Sequence, residues 1–180
     1  MNKTTILAIS GSLRAASLNT MLLKAAARLA GDHVRMELFH GIGELPLFNP
    51  DIEATNPPAV ARFRTALQQA DAVLIASPEY AHGVTGVMKN ALDWMVGNET
   101  FVNKPVALFN ASPRSSHAQT SLRETIGVMS ARIIEAACIS VPIQGSGLTE
   151  DDIVADPDIS SAIREAIAQI HSAAASGSHS

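Results

Sequence analysis

The sequence predicts an α/β domain: a five-stranded parallel sheet in strand order 2-1-3-4-5, with helices on both faces. Three observations predict it. Short apolar runs alternate along the chain with longer runs whose apolar residues recur at helical spacing, and such alternation implies a parallel sheet. Residues 6–9, 72–76 and 106–109 are apolar throughout, as strands buried on both faces are. Residues 34–38 alternate instead, which marks a half-buried strand at a sheet edge.

The elements follow in order. Ile6-Leu7-Ala8-Ile9 is the first strand and ends in Ser10-Gly11-Ser12. Residues 17–30 carry Leu18, Leu22, Ala25, Ala26 and Leu29 as one helical stripe, closed by Gly31. In the second strand Val34, Met36 and Leu38 alternate with Arg35 and Glu37. Residues 40–57 read as a long irregular loop, of the kind that is often functional. Pro57-Pro58 opens a second helix with Val60, Phe63, Leu67 and Ala70 on one face. The third strand, residues 72–76, precedes a third helix with Met88, Ala91, Leu92 and Met95, and residues 106–109 form the fourth strand. A fourth helix carries Leu122, Ile126 and Met129, and residues 133–143 supply the fifth strand. Ile159, Ile163, Ala166, Ile167 and Ile170 mark the last helix. Residues 1–171 thus read as one domain and residues 172–180, small and polar, as a flexible tail. No sixth strand is visible, which disfavours a dinucleotide-type strand order.

Composition narrows the function. A chain of 180 residues with 47% hydrophobic and 17% charged residues is not disordered. A net charge of −4, four lysines and no basic cluster argue against a nucleic-acid partner. Cys138 is the single cysteine, so no disulfide framework exists, and its apolar surroundings suggest a small buried residue. The six histidines show no metal-ligand spacing, so no metal is expected. No apolar run approaches a bilayer span, and Arg14 follows the first strand too closely for a signal peptide, so cytoplasm is expected.

Open α/β sheets bind ligands beyond the carboxyl ends of their strands, at the point where the strand order reverses. Here that point lies between strands 1 and 3, which selects two loops. The first, residues 11–19, offers a glycine, Ser12, Arg14, Ser17 and Asn19 ahead of a helix N-terminus. Free N–H groups, the helix dipole and a guanidinium suit an anion such as a phosphate; the plainer alternative is a turn with Ser17 as helix cap. The second, residues 77–86, holds the single tyrosine, Tyr80. Its backbone is expected to contact a planar ligand. Glu79 and His82 there are candidates for acid–base work, with solvated side chains as the alternative. Gly145-Ser146-Gly147 reads as a turn far from the switch point, and Lys89 and Asp93 as an i, i+4 pair.

These residues carry a resemblance. Gly11-Ser12-Leu13-Arg14-x-x-Ser17-x-Asn19, followed by Pro78-Glu79-Tyr80-Ala81-His82-Gly83-x-x-Gly86-x-x-Lys89-Asn90-Ala91-Leu92-Asp93-Trp94, resembles the NADPH-dependent FMN reductase family. That family has a flavodoxin-like fold and includes quinone, chromate and azo-dye reductases. The resemblance implies bound FMN, with Ser12, Arg14, Ser17 and Asn19 on its phosphate and Pro78, Glu79, Tyr80, Ala81, His82 and Gly83 along its ring edge. Ser112, Pro113 and Arg114 stand where the family often closes the ring site. Ala81 replaces a common asparagine, so its contact must come from the backbone, and Thr85 replaces a common proline. The family implies NADPH or NADH as co-substrate and a flavin, quinone or similar small acceptor, served by ping-pong kinetics. It also implies a homodimer or homotetramer with the third helix, including Trp94, near the interface. A flavodoxin-type electron carrier is the alternative, against which the mild acidity counts; a binding module without catalysis is the third reading.

Overall fold

The computed structural model describes residues 3–177. Strand β3 (Ala72–Ala76) lies at the centre, between β1 (Thr4–Ser10) and β6 (Pro105–Asn110); β1 pairs on its other side with β2 (Val34–Leu38), and all these pairings are parallel. The fifth position is taken by two short pieces, β7 (Arg132–Ile133) and β8 (Ile139–Ser140), both paired with β6. A single fifth strand over residues 133–143 is therefore corrected to two, interrupted by a 3-10 turn at Glu135–Ala137. The order is otherwise the expected one. The alternating strand pairs only with β1 and forms the edge.

Side-chain alternation divides the core into two layers. Ile6, Ala8, Leu74 and Phe109 face helices α1 (Leu18–Leu29), α6 (Glu150–Ala155) and α7 (Pro157–Gly177). Leu7, Ile9, Val73, Ile75 and Leu108 face α3 (Pro58–Gln69), α4 (Gly86–Val96) and α5 (Ser116–Val128). The expected stripes of these helices are buried, except that Leu18 and Ile159 are half-exposed. Lys104 donates from Nζ to the carbonyls of Leu67 and Ala70 at 2.8 and 2.6 Å, closing the end of α3. Its burial there holds the ammonium pKa down, with Asp71 opposing.

Three features were not legible in the sequence. The 40–57 loop contains a 3-10 turn at Ile42–Glu44 and the short helix α2 (Pro50–Glu53). The expected last helix is α7, and a further short helix, α6, precedes it; Asp156 ends α6 and caps α7, its Oδ1 accepting from the N–H groups of Asp158 and Ile159. Helix α7 runs through Gly177, past the expected boundary at residue 171; residues 178–180 of the expected tail lie outside the described residues. Residues 77–86 fold as a hairpin, with β4 (Glu79–Tyr80) antiparallel to β5 (Gly83–Val84).

The two hairpin tip residues, Ala81 and His82, have φ of 48° and 59°. Positive φ at both central residues is the tight hairpin geometry that asparagine and glycine favour, and alanine at such a φ is strained. Ala81→Asn is therefore expected to stabilise the protein by about 0.5–1 kcal/mol, read as a higher urea midpoint with unchanged slope.

Candidate active site

The β1–β3 register sets the site. Ile9 lies opposite Ile75 and Ser10 opposite Ala76, so both strands end flush and their loops leave the sheet side by side. Between those loops, with the loop after β6 as third wall, lies an open cleft. Ser12, Arg14, Ser17, Asn19, Pro78, Glu79, Tyr80 and Ser112 line it, as expected. Ala81, His82, Gly83, Pro113 and Arg114 do not. The hairpin carries the first three past the rim, and Arg114 is exposed on the loop before α5.

The first loop is wired to itself. Ser17 is the N-cap of α1, its Oγ accepting from the Thr20 N–H at 3.2 Å, so the plainer reading of that serine holds. Its hydroxyl proton is still available to donate. Ser10 Oγ meets Thr20 Oγ1 at 2.8 Å and accepts from the Ser12 N–H at 3.4 Å. The Leu18 and Asn19 N–H groups open α1 and have no carbonyl one turn back within the helix. The Asn19 side chain is 7% exposed, and its Oδ1 has no hydrogen-bond partner among the described residues. A buried polar atom without a partner normally marks a missing one. Unpaired N–H groups, serine hydroxyls and the Arg14 guanidinium fit the phosphate end of a mononucleotide.

The second loop is anchored at two points. Thr85 Oγ1 donates to the Gly11 carbonyl at 2.7 Å, tying the two loops together, a contact proline could not make. Glu79 Oε2 accepts from the Ala118 N–H at 2.9 Å, placing a carboxylate in the first turn of α5. Glu79 is thus a structural acceptor in this arrangement. Tyr80 stays 54% exposed at the rim, where it can meet a ligand face. It also borders a second, mostly apolar recess with Gly11, Leu13, Arg14, Thr85, Gly86 and Val87.

Six lining residues were not singled out as site residues in the sequence: Leu18 and Ser77, inside the two selected loops, and Asn110, Ala111, Ser115 and Gln144 outside them. Ser77 and Asn110 are the first residues beyond β3 and at the end of β6, where position alone could have flagged them. Gln144 needed the topology. Gly145 and Gly147 do form a turn, with φ of 79° and 75°. That turn is not far from the switch point, because β8 pairs with β6 and the Gln144 N–H donates to the Ala111 carbonyl at 3.2 Å.

Two expectations away from the cleft change. Cys138 is half-buried rather than buried, its Sγ accepting from the Leu108 N–H at 3.4 Å. Burial pushes its thiol pKa up, against the pull of the Leu108 N–H and Arg123. Trp94 is fully buried inside the protomer, so it offers no surface to a second subunit. Lys89 and Asp93 do form the expected exposed pair. Among the described residues no helix is long and apolar enough to cross a membrane.

A parallel sheet of this order, with an anion-binding helix start and a cleft at the switch point, defines a flavodoxin-like mononucleotide-binding protein. A family model described as NADPH-dependent FMN reductase matches residues 4–145. The chain belongs to that family. It is 42% identical over 127 residues to an NAD(P)H-dependent FMN reductase of Pseudomonas aeruginosa, covering 67% of this chain and 68% of that one. It is 39% identical over 109 residues to a quinone reductase of Pseudomonas putida, covering 58% of each. Among solved structures, FerB of Paracoccus denitrificans, a flavoenzyme NAD(P)H:acceptor oxidoreductase, superposes with a TM-score of 0.81 at 29% identity, over 96% of this chain and 98% of that one. The matched segments span about half to two thirds of the length of the curated relatives.

Proposed function

We propose that this protein is an FMN-dependent NAD(P)H oxidoreductase that passes electrons from NADPH or NADH to a flavin, quinone or similar small acceptor by a ping-pong sequence. The observation that carries this reading is the pairing of a polar cradle at a helix start with an adjoining apolar recess at one strand-order reversal. Bound FMN supplies the hydride and electron chemistry. The chain's residues bind and orient. Ser12, Ser17, Asn19 and the N–H groups opening α1 hold the phosphate, and Arg14 adds a charge-assisted bond. Pro78, Glu79 and Tyr80 border the ring and Ser112 closes the far wall, while the hairpin residues Ala81, His82 and Gly83 and the loop residue Arg114 stand beyond the rim. No acid or base is needed from Glu79, which holds the hairpin against α5. The recess shares Arg14 and Tyr80 with the cleft, so reductant and acceptor would use one place in turn, which favours ping-pong order. The relatives' names support both flavin and quinone as acceptors. The same reading places the protein in the cytoplasm as a homodimer or homotetramer, to be checked by light scattering.

Anaerobic stopped-flow mixing of the FMN-loaded protein with each nucleotide tests the reading. Rapid loss of the oxidised-flavin absorbance is expected. A protein that holds FMN and keeps its colour with both NADPH and NADH would be a carrier or a binding module instead. Arg14→Ala should weaken FMN binding at least about tenfold while leaving riboflavin nearly unaffected, since a hydrogen bond to a charged group contributes about 1.5–3 kcal/mol. Equal weakening of both flavins by calorimetry would remove Arg14 from the phosphate.

A further inference from the structure

We propose that the stacked imidazoles of His82 and His117 form a phosphate-binding site for the nicotinamide dinucleotide, outside the cleft that takes the flavin. The inference rests on the oxidoreductase reading above and adds a residue pair that contacts a phosphate of the nucleotide. The two ring centroids are 4.3 Å apart and the planes are 16° from parallel. Both residues are exposed, and neither ring has a hydrogen bond or ion pair among the described residues. Two exposed imidazoles face to face gain little from burial. What the stack does create is a pair of exposed imidazoles, each with a ring N–H donor, held 4.3 Å apart.

The surrounding structure holds that pair in place. His82 is the second tip residue of the hairpin and sits at φ 59°, a conformation that persists only where the surroundings enforce it. His117 is the second residue of α5, near the positive end of the helix. The Glu79 carboxylate, bonded to the Ala118 N–H, clamps the hairpin to that same turn, so the two rings cannot drift apart independently. The pair is also one step from the cleft on both sides. Tyr80, two residues before His82, and Ser115, two residues before His117, both line it.

Charge agrees with an anionic occupant. Arg114 is exposed on the loop that enters α5 and adds a cation to the same side. Of the other charged or titratable groups on the hairpin and α5, Glu79 is committed to the helix N-terminus and Arg123 is engaged by Glu135; Tyr80 and Glu124 complete the set. The two rings lie 4.3 Å apart, so phosphate oxygens can reach donors on both. A metal ion is a poorer occupant, because stacked rings do not converge their in-plane lone pairs on one point.

The test is calorimetric titration of the FMN-loaded protein with NADP⁺ and with NAD⁺, comparing wild type with His117→Gln, His82→Asn and His117→Arg. Asparagine tolerates the left-handed tip, so His82→Asn should fold. His117→Gln and His82→Asn should each weaken NADP⁺ binding about tenfold, which is about 1.4 kcal/mol. His117→Arg should keep binding within about twofold. Weakening of NADP⁺ alone assigns the site to the 2′-phosphate, and weakening of both nucleotides assigns it to the pyrophosphate. Unchanged affinity in both neutral variants overturns the proposal, as does equal loss in His117→Gln and His117→Arg, which would mean packing rather than charge. These outcomes differ from failure of the oxidoreductase reading, which shows as wild-type flavin that neither reduced nucleotide bleaches.

Discussion

Truncating Trp94 to alanine is expected to destabilise the protein by about 4 kcal/mol, within the range for removing a large buried aromatic. The indole is fully buried and meets the Phe48 ring edge-on at 5.1 Å. Its Nε1–H donates to the Pro46 carbonyl at 2.7 Å. Asn90, one turn earlier, donates from Nδ2 to the same carbonyl at 3.0 Å and accepts from the Phe48 N–H at 2.8 Å. Two residues of α4 therefore hold the segment after β2 that no regular ladder supports. Removing the indole opens a cavity and removes one of the two donors to Pro46. Trp94→Phe should lose about half as much, since most of the volume stays. Because Trp94 is the single tryptophan, unfolding must be followed by circular dichroism. An interface role predicts something else: a change in mass by light scattering with the protomer's unfolding free energy nearly unchanged. That outcome would overturn the buried assignment.

This residue shows where reading the sequence stops. The stripe Met88, Ala91, Leu92, Met95 identifies α4 and its buried face, because helical periodicity is local information. The tryptophan one position before Met95 lies beside that stripe, and only the path of the 45–48 segment, set by non-local contacts, turns its side into core. The cleft follows the same division. Strand order and the reversal rule were legible from three wholly apolar strands and one alternating one, and they placed Ser12, Arg14, Ser17, Asn19 and Tyr80 at one cleft. The hairpin was hidden because its tip, Ala81-His82, lacks the asparagine and glycine that announce such turns. Without the hairpin, Glu79 and His82 read as neighbours doing one job. The fold instead sends Glu79 to the start of α5 and His82 to a stack with His117. Gln144 was hidden for a topological reason: residues distant in the chain adjoin once β8 pairs with β6.

The second large effect is expected at the switch point itself, where Gly11→Ala should destabilise the protein by about 3 kcal/mol and weaken FMN binding with it. Both backbone groups of Gly11 are used: its N–H donates to the Ala76 carbonyl at 2.9 Å, and its carbonyl accepts from Thr85 Oγ1. A Cβ at this position would lie 2.2 Å from Ser77 Oγ, 2.7 Å from Ser77 Cβ and 3.2 Å from Ser77 Cα. The hydroxyl can rotate away, but the Cβ and the backbone cannot. The ends of β1 and β3 would have to part, and parting them moves both cleft loops at once. The obstacle can be located by second-site changes. Ser77→Gly combined with Gly11→Ala should restore most of the lost stability and flavin affinity, whereas Ser77→Ala, which keeps the Cβ, should restore little. Chemical denaturation and flavin fluorescence on six proteins (wild type, Gly11→Ala, the two single changes at position 77 and the two double variants) give the coupling directly. Equal rescue by glycine and alanine at position 77 would show that the hydroxyl alone stands in the way, and that these strand ends have more room than their spacing indicates.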